Sequence, residues 1–596
     1  MRTKRWLVAV GGALALASAS GGAPQAQVRH ASPEFVKLAE EFRQFRSPVF
    51  AARTWRPATR PAGVPDYAAL VRAQMEGLPA FQMRLRELDP KGWPVHDQVD
   101  YLVLRSEMDD TDWEHRVLRE TVKNPFFYIE QAFDGVRAEM GAVVPYSAEK
   151  AEAIIKAFER AGPIVEQGPK NIVLAEAAPE FGRIGIREVT DIRQKYVAGV
   201  RLMEPHFPAS HRGRLGTAAQ QAAEALEKYG RWIEANLPQM KGQPHVGRQN
   251  LEWLLKRIYF VPWSHDELLY MAELEMNRFR MMIEIEEKKN QGLKPLTMPT
   301  SEEWVEWFRL TYLQTKHFLK DLDLISFHPY ISESYLQTGG VWQEPFGRGL
   351  RSGLMYFPTE PVQEPAKRLF IVPEDHWFTQ TYFERLMRLD PIVDYHHSDW
   401  PGHYFEGQVT SRNPCFIRAE HRDSGFSNWA HYLEELFLNF DYPFLRGPRT
   451  RELHYNLLLF RAVRVPLDFH LSSGVHSIDE SVQFQITLTP FLEEHVARGE
   501  VEGYVRRPFG ASSYIIGKKQ IEQILGERIA QRGGPGGHAA VGEPQKSRFN
   551  WREFHDTLLA SGQIPLSLVR WEMTGYDDQI KKLWDMPDLQ TELASR

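Results

Sequence analysis

The chain has 596 residues, of which 43% are hydrophobic and 12% aromatic, so it can build a large buried core. Its 72 basic and 78 acidic residues give a formal charge of −6, which carries no signature of nucleic-acid binding. The single cysteine, Cys415, excludes an intrachain disulfide, and the fold must therefore be held together by its core.

The N-terminus has the pattern of an export signal. Three basic residues among the first five precede a short apolar stretch, and small residues that suit cleavage follow. The apolar stretch is shorter than the ~20 residues that a membrane-spanning helix needs. No cysteine lies near the cleavage positions, which argues against a lipid anchor. We therefore expect residues 1–26 to be a signal peptide and the mature protein to be exported, periplasmic or secreted, without a membrane span.

Most of the mature chain shows apolar residues at spacings of three and four, which predicts long amphipathic helices. Before the middle of the chain these helices cover residues 67–88, 98–121, 148–175, 217–236 and 266–289. Towards the C-terminus they cover residues 449–465, 478–497, 513–530 and 551–561.

Two short segments, residues 352–357 and 368–372, have the composition of β-strands, and residues 532–547 form a Gly- and Pro-rich segment that predicts a flexible loop. No linker long enough to separate independent domains is evident. The sequence thus predicts a mainly α fold, with residues 27–596 forming a single large helical body. We expect this body to contain a deep cleft, with a small β-sheet near the candidate site at residues 395–407.

The residues with the most chemical information lie in the segment YHHSDWPGHYFEG, residues 395–407. It contains His396, His397 and His403, and a helical segment at residues 425–437 adds a further histidine and two glutamates. Clustered imidazoles followed by acids on a later helix are typical of zinc peptidases with an HExxH-type site. The glutamate that should follow the first histidine is replaced by Ser398.

Four ordered motifs resemble a known family over about residues 33–573. They are HHSDWPGHYFEG, SNWAHYLEE, LLLFRAVRVPLDFHLSSGVHSIDESV and a C-terminal pair, EVEGYVRRPFGASSYIIGKKQI and FNWREFHDTLLASGQIPLSLV. Together they are similar to the bacterial "domain of unknown function 885" family, regarded as zincin-like metallopeptidases. The resemblance implies a zincin-like fold, a zinc site and hydrolysis of peptides.

The sequence departs from the family where the chemistry should lie. In the family's pattern, Ser398 stands at the position of the general base, Ser427 at that of the third zinc ligand, and Ser472 at that of a histidine in the third motif. Serine cannot replace a carboxylate as a base of useful pKa. Three such changes within an intact scaffold predict a changed or lost activity.

A rebuilt metal site is one hypothesis. His431 lies four residues after Ser427 and three before Glu434, so these side chains share a helical face, and His397, His403 and His431 would be the zinc ligands. Asp399 or Glu434 is then the candidate base, and Tyr514 the candidate donor to the oxyanion.

Other residues of these motifs have simpler interpretations. His396 is expected to pack or to support the site, because adjacent helical residues point ~100° apart. Glu406 and Glu435 are expected to be solvated or ion-paired. A pair of arginines spaced by three, Arg461 and Arg464, suits either a substrate carboxylate or structural ion pairs.

The leading functional hypothesis is an exported, metal-dependent hydrolase of the peptidase type that acts on short peptide or amide substrates. The alternative is a catalytically inactive descendant that keeps the cleft and binds peptides or a protein partner. A third hypothesis, a metal-free hydrolase that uses Ser398, lacks the G-x-S-x-G motif of serine hydrolases.

Overall fold

The computed structural model describes residues 32–46, 63–139, 145–331, 381–421, 428–533 and 549–596. The predicted signal peptide, the two predicted strands, Ser427 and most of the predicted loop at 532–547 lie outside these ranges.

The structure confirms a mainly helical fold. The N-terminal half contains helices α1 (Pro33–Phe45), α2 (Tyr67–Glu87), α3 (Val95–Trp113), α4 (Glu120–Lys123), α5 (Pro125–Glu139), α6 (Ala148–Val165), α7 (Gly168–Asn171), α8 (Pro179–Val189), α9 (Ile192–Met203), α10 (Ala209–Asn236), α11 (Arg248–Arg257), α12 (His265–Lys289) and α13 (Ser301–Asp321). A π-helix, Glu114–Leu118, follows α3, and two short 3₁₀ helices lie at Glu204–His206 and Leu237–Gln239.

The C-terminal half contains α14 (Tyr382–Leu389), α15 (Ile392–Ser398), α16 (His403–Thr410), α17 (Phe416–Glu420), α18 (Asn428–Asn439), α19 (Thr450–Ser473), α20 (Ile478–Leu488), α21 (Glu494–Tyr504), α22 (Ser513–Gly533), α23 (Trp551–Ala560), α24 (Leu566–Thr574), α25 (Asp578–Leu583) and α26 (Leu589–Ala594). No strand occurs within the described ranges, so the structure does not support the predicted small β-sheet. The segments predicted as strands, 352–357 and 368–372, are outside those ranges.

Several predicted helix ends were wrong. The predicted helix 148–175 ends at Val165, and the separate short helix α7 follows at Gly168–Asn171. The predicted helix 478–497 breaks after Leu488, because proline follows at position 490 and cannot donate a helical hydrogen bond. In contrast, α19 continues past its predicted end through an internal proline and stops at Gly474, whose φ of 80° suits glycine.

Two hydrophobic clusters form the core of the described part of the chain. The larger cluster joins the N-terminal helices, where α6 packs against α5 and α10, to the helices that carry the histidine motif. The second cluster lies between α12 and α19 and includes a parallel pair of rings, Trp113 and Trp253, with centroids 6.0 Å apart. No helix among the described residues is long and apolar enough to cross a membrane.

Five helices hold the candidate site. The short helices α15 and α16 contact α18, and α18 packs along α22. The long helix α19 contacts α15 and α22 and is supported from behind by α12. Each candidate residue in these five helices is therefore positioned by packing between helices rather than by a loop.

Candidate functional site

The turn between α15 and α16 brings two of the predicted histidines together. His397 lies in the last turn of α15, and His403 is the first residue of α16. Their ring centroids are 4.6 Å apart. The close approach depends on Gly402, where an added Cβ would lie 1.9 Å from the carbonyl oxygen of His397. The indole of Trp429 fixes the turn from α18 by donating a hydrogen bond to the Pro401 carbonyl at 2.8 Å.

The guanidinium of Arg461, on α19, lies between His397 and Glu434. Arg461 donates to Nδ1 of His397 at 2.7 Å, and the same nitrogen lies 2.6 Å from Oε1 of Glu434. The Nδ1 atom of His397 and Oε1 of Glu434 are 3.0 Å apart, so the three groups form a closed triangle. All three residues are buried, and the ion pair is therefore formed away from solvent.

The triangle determines the protonation of His397. A guanidinium has only donors, so the Nδ1 lone pair of His397 accepts, and the hydrogen-bond pattern assigns its proton to Nε2. Burial and the nearby charge of Arg461 lower the pKa of His397 well below its usual value, which keeps the ring neutral. In this tautomer neither ring nitrogen offers a free lone pair to a metal.

Glu434 remains ionised in this setting. Burial opposes its charge, but the guanidinium of Arg461 and the hydrogen bond with His431 outweigh burial and lower the pKa of Glu434 below its usual value. The Nδ1 atom of His431 lies 2.9 Å from Oε2 of Glu434. Each oxygen of Glu434 therefore has its own partner, an arginine on one side and a histidine on the other.

Two histidines are oriented by carboxylates in the manner of metal ligands. His431 contacts Glu434 through Nδ1, and His403 contacts Glu406 through Nδ1 at 3.4 Å. A carboxylate at Nδ1 fixes the imidazole tautomer that leaves Nε2 with its lone pair. Nε2 of His431 is buried without a hydrogen-bond partner, and burial lowers the pKa of this ring to about 3.

The described residues do not assemble a complete metal site. They include no group of three or more His, Cys, Asp or Glu side chains able to hold a metal ion. The residues present do not fit a three-histidine zinc site, because Arg461 engages the lone pair of His397. Metal binding by His397, His403 and His431 therefore stays a prediction.

The candidate acids and serines lie in different surroundings. Asp399 is buried as the C-cap of α15, and its backbone N–H bonds to the Tyr395 carbonyl at 3.0 Å. Ser398 is buried at the end of the same helix. Ser472 donates to Asp468 at 3.0 Å, so the serine at the family's histidine position has a structural hydrogen bond.

Tyr514, the predicted oxyanion donor, lies at the start of α22 beside the histidines. Its ring stacks parallel to that of His397 with centroids 5.8 Å apart, and it is only partly exposed. The guanidinium carbons of Arg461 and Arg464 lie 5.3 and 4.9 Å from the centre of the Tyr514 ring. Arg464 also pairs with Glu500 at 2.6 Å, so this arginine makes a structural ion pair, one of the two roles that the sequence left open.

The structure confirms that His396 is a packed residue. It is fully buried, and its ring stacks on Phe437 with centroids 3.6 Å apart. The ring centroid of a second buried histidine, His454, lies 6.2 Å from that of His396.

A buried ion cluster behind α18 was missed from the sequence. Lys518 on α22 is fully buried and pairs with Glu435 at 2.6 Å and with Glu522 at 2.7 Å. Arg278 on α12 pairs with the same Glu435. The only signal was that Lys518 lies four residues after Tyr514 and so shares its helix face. The cluster connects α12, α18 and α22 behind the site.

Comparisons with known proteins match part of the sequence and most of the fold. The family model for "Bacterial protein of unknown function (DUF885)" matches residues 350–573, and curated proteins give no match. A solved "putative lipoprotein of unknown function" from Shewanella oneidensis is 14% identical, with a TM-score of 0.61 over 91% of this chain and 98% of its own. A "putative lipoprotein" from Colwellia psychrerythraea is 12% identical, with a TM-score of 0.63 over 93% of this chain and 100% of its own. The resemblance to the family is thus confirmed for residues 350–573, and the solved structures share the fold.

Proposed function

We propose that this protein is a non-catalytic descendant of the family that binds short peptides through a carboxylate group. The observation that carries the proposal is the triangle of Arg461, His397 and Glu434. In this triangle the guanidinium of Arg461 places a fixed positive charge beside His397 and Glu434, the groups that would otherwise bind a metal ion or act as the base. With Ser398 at the position of the base, the site lacks the glutamate that takes a proton from water in an HExxH-type site.

The same arginines supply the binding chemistry. The Nε atoms of Arg461 and Arg464 are buried and have no hydrogen-bond partner. An unsatisfied buried N–H is costly, and a carboxylate is the strongest acceptor for a guanidinium donor. Partly exposed Tyr514 covers both guanidinium groups, so the peptide would reach them beside this ring.

The test is a binding measurement with the full mature chain. Short peptides with a free C-terminal carboxylate, and the same peptides with amidated C-termini, are titrated by calorimetry. We expect binding of the free acids, loss of at least tenfold in affinity on amidation, and the same loss in Arg464→Gln. Equal binding of the acid and the amide would refute the carboxylate proposal, and chelator-sensitive hydrolysis would refute the non-catalytic one.

A second candidate is the metal-dependent peptidase with a zincin-like arrangement. It is supported by the carboxylate-oriented rings of His403 and His431 and by the unpartnered Nε2 of His431. In this case His397 would have to release Arg461, and Asp399 or Glu434 would act as the base. Elemental analysis of the mature protein beside its His397→Ala/His403→Ala variant separates the two candidates. About one zinc per wild-type chain, absent from the variant, would establish the peptidase site.

An exported location in the cell envelope accompanies both candidates. The proposal is supported by the signal-like pattern in residues 1–26 and by the two similar solved proteins, whose names describe them as lipoproteins. Fractionation of cells that express the full chain, with detection by an antibody to the mature protein, tests it. Recovery in the cytoplasm with residues 1–26 still attached would contradict it.

A further inference from the structure

A small cavity lies next to the histidine motif, on the side of α16 that faces α18 and the α23–α24 turn. Its volume is about 40 Å³, which exceeds the room that one water molecule needs. Its walls are mostly apolar, with Ile521 and Leu558 among them. Four oxygen-bearing side chains also line it, from Glu406, Thr410, Asn428 and Gln563.

Three of these side chains have a buried oxygen without a hydrogen-bond partner. They are Oγ1 of Thr410, Oδ1 of Asn428 and Oε1 of Gln563. A buried polar atom without a partner costs free energy, and three that line one cavity require a common explanation. The Asn428 side chain is held in place by α22, because an added Cβ on Gly517 would lie 1.8 Å from its Cγ.

The fourth group adds a negative charge. Glu406 is buried, and its contact with Nδ1 of His403 is long, at 3.4 Å. Among the described residues, no lysine, arginine or histidine lines the cavity. A buried carboxylate is unfavourable unless its charge is compensated, and a neutral His403 ring supplies a hydrogen bond but no charge.

We propose that this cavity binds a hard cation of the Ca²⁺ type through Glu406, Thr410, Asn428 and Gln563. Carboxylate, amide and hydroxyl oxygens are the ligands that Ca²⁺ prefers, and water completes its coordination in a cavity of this size. Glu406 and Thr410 are four residues apart on α16 and so share one face of that helix. With a single carboxylate the affinity is expected to be weak, with a Kd of about 10⁻⁴–10⁻³ M. The cation would join α16, α18 and the α23–α24 turn, and it is independent of the proposed peptide binding.

The experiment uses the isosteric substitution Gln563→Glu, which places a second carboxylate in the cavity. Binding of CaCl₂ to the full mature chain is measured by calorimetry and by the thermal midpoint, with EGTA as the reference state. We expect the wild type to bind Ca²⁺ weakly, Gln563→Glu to bind it at least about tenfold more tightly, and Thr410→Val to lose most of the binding. MgCl₂ is expected to bind less well, because Mg²⁺ demands a stricter geometry.

A matched control separates cation binding from a general effect of a buried charge. Gln82→Glu changes a glutamine of similar burial, 7% exposed against 8% for Gln563, that does not line this cavity. We expect Gln82→Glu to lose stability equally in CaCl₂ and in EGTA. If Gln563→Glu behaves in the same way and the wild type binds no Ca²⁺, the cavity holds water only and the proposal is overturned.

Discussion

One guanidinium nitrogen of Arg461 lies 2.6 Å from Oε1 of Glu434, in the interior of the protein and among the residues expected to bind a metal. The pair connects α19 to α18, and His397 completes it from α15. Charge compensation within the protein thus replaces the charge that a bound cation would supply. Arg461 has two effects here: it compensates the buried charge of Glu434, and it occupies the Nδ1 lone pair of His397.

The first prediction concerns the loss of that charge. Arg461→Ala leaves the Glu434 carboxylate buried without its cation, and we expect the free energy of unfolding to fall by about 3–5 kcal/mol. Arg461→Lys keeps the charge but loses the planar fork, so it should destabilise less. Urea unfolding followed by circular dichroism measures both. Equal losses in the two variants would show that packing, rather than charge, sets the effect.

The second prediction compares Gly402, which directly precedes α16, with Gly407 inside that helix. Gly402→Ala forces its Cβ to within 1.9 Å of the His397 carbonyl oxygen, so the turn must open and the protein should lose several kcal/mol of stability. Gly407→Ala, within α16, meets nothing within 4 Å and should stabilise the helix by about 0.5–1 kcal/mol. Thermal unfolding of both variants measures the contrast. A tolerated alanine at 402 would contradict the close approach of the turn.

The third prediction concerns pH and the buried histidine His555. Its Nδ1 lies 2.8 Å from the Leu324 carbonyl and its Nε2 lies 3.0 Å from the Tyr432 hydroxyl, which together fix a neutral ring. Burial lowers the pKa of His555 to about 4. Because the folded pKa lies below the unfolded value, its contribution is fully present above pH ~6.5 and is lost as the pH falls towards 4.

The measurement for His555 is denaturant unfolding at pH 7.5 and at pH 5. Protonation of the unfolded chain alone should cost the wild type about 2 kcal/mol at pH 5 from this one residue. His555→Gln is less stable at pH 7.5 but should lack that part of the pH dependence. A pH dependence that is unchanged in the variant would show that His555 titrates normally in the folded state.

The fourth prediction concerns the ion cluster behind α18. Lys518→Met removes the fully buried partner of Glu435 and Glu522, and we expect a loss of about 1–3 kcal/mol, because Arg278 still pairs with Glu435. The double variant Lys518→Met/Glu435→Gln removes both charges of the closest pair and should lose less than Lys518→Met alone. Unfolding free energies of the single and double variants give the coupling. Strictly additive losses would contradict a direct interaction.

The sequence by itself determined the helical class and the location of the candidate site. Amphipathic periodicity over long segments leaves little choice other than helix, because each apolar face must be buried against another element. The prediction of His397 and His403 as joint zinc ligands also required them to lie close together, and their ring centroids are 4.6 Å apart. These features depend on residues that are close in the chain.

Tertiary structure alone decided what surrounds those histidines. Arg461 is 64 residues from His397, and Lys518 lies on yet another helix, so no local pattern indicates that they meet. The same holds for the cavity oxygens of Thr410, Asn428 and Gln563, which come from three separate segments. Buried charges and unpaired oxygens acquire their energetic consequences only when packing removes water from them, and that packing is a property of the whole fold.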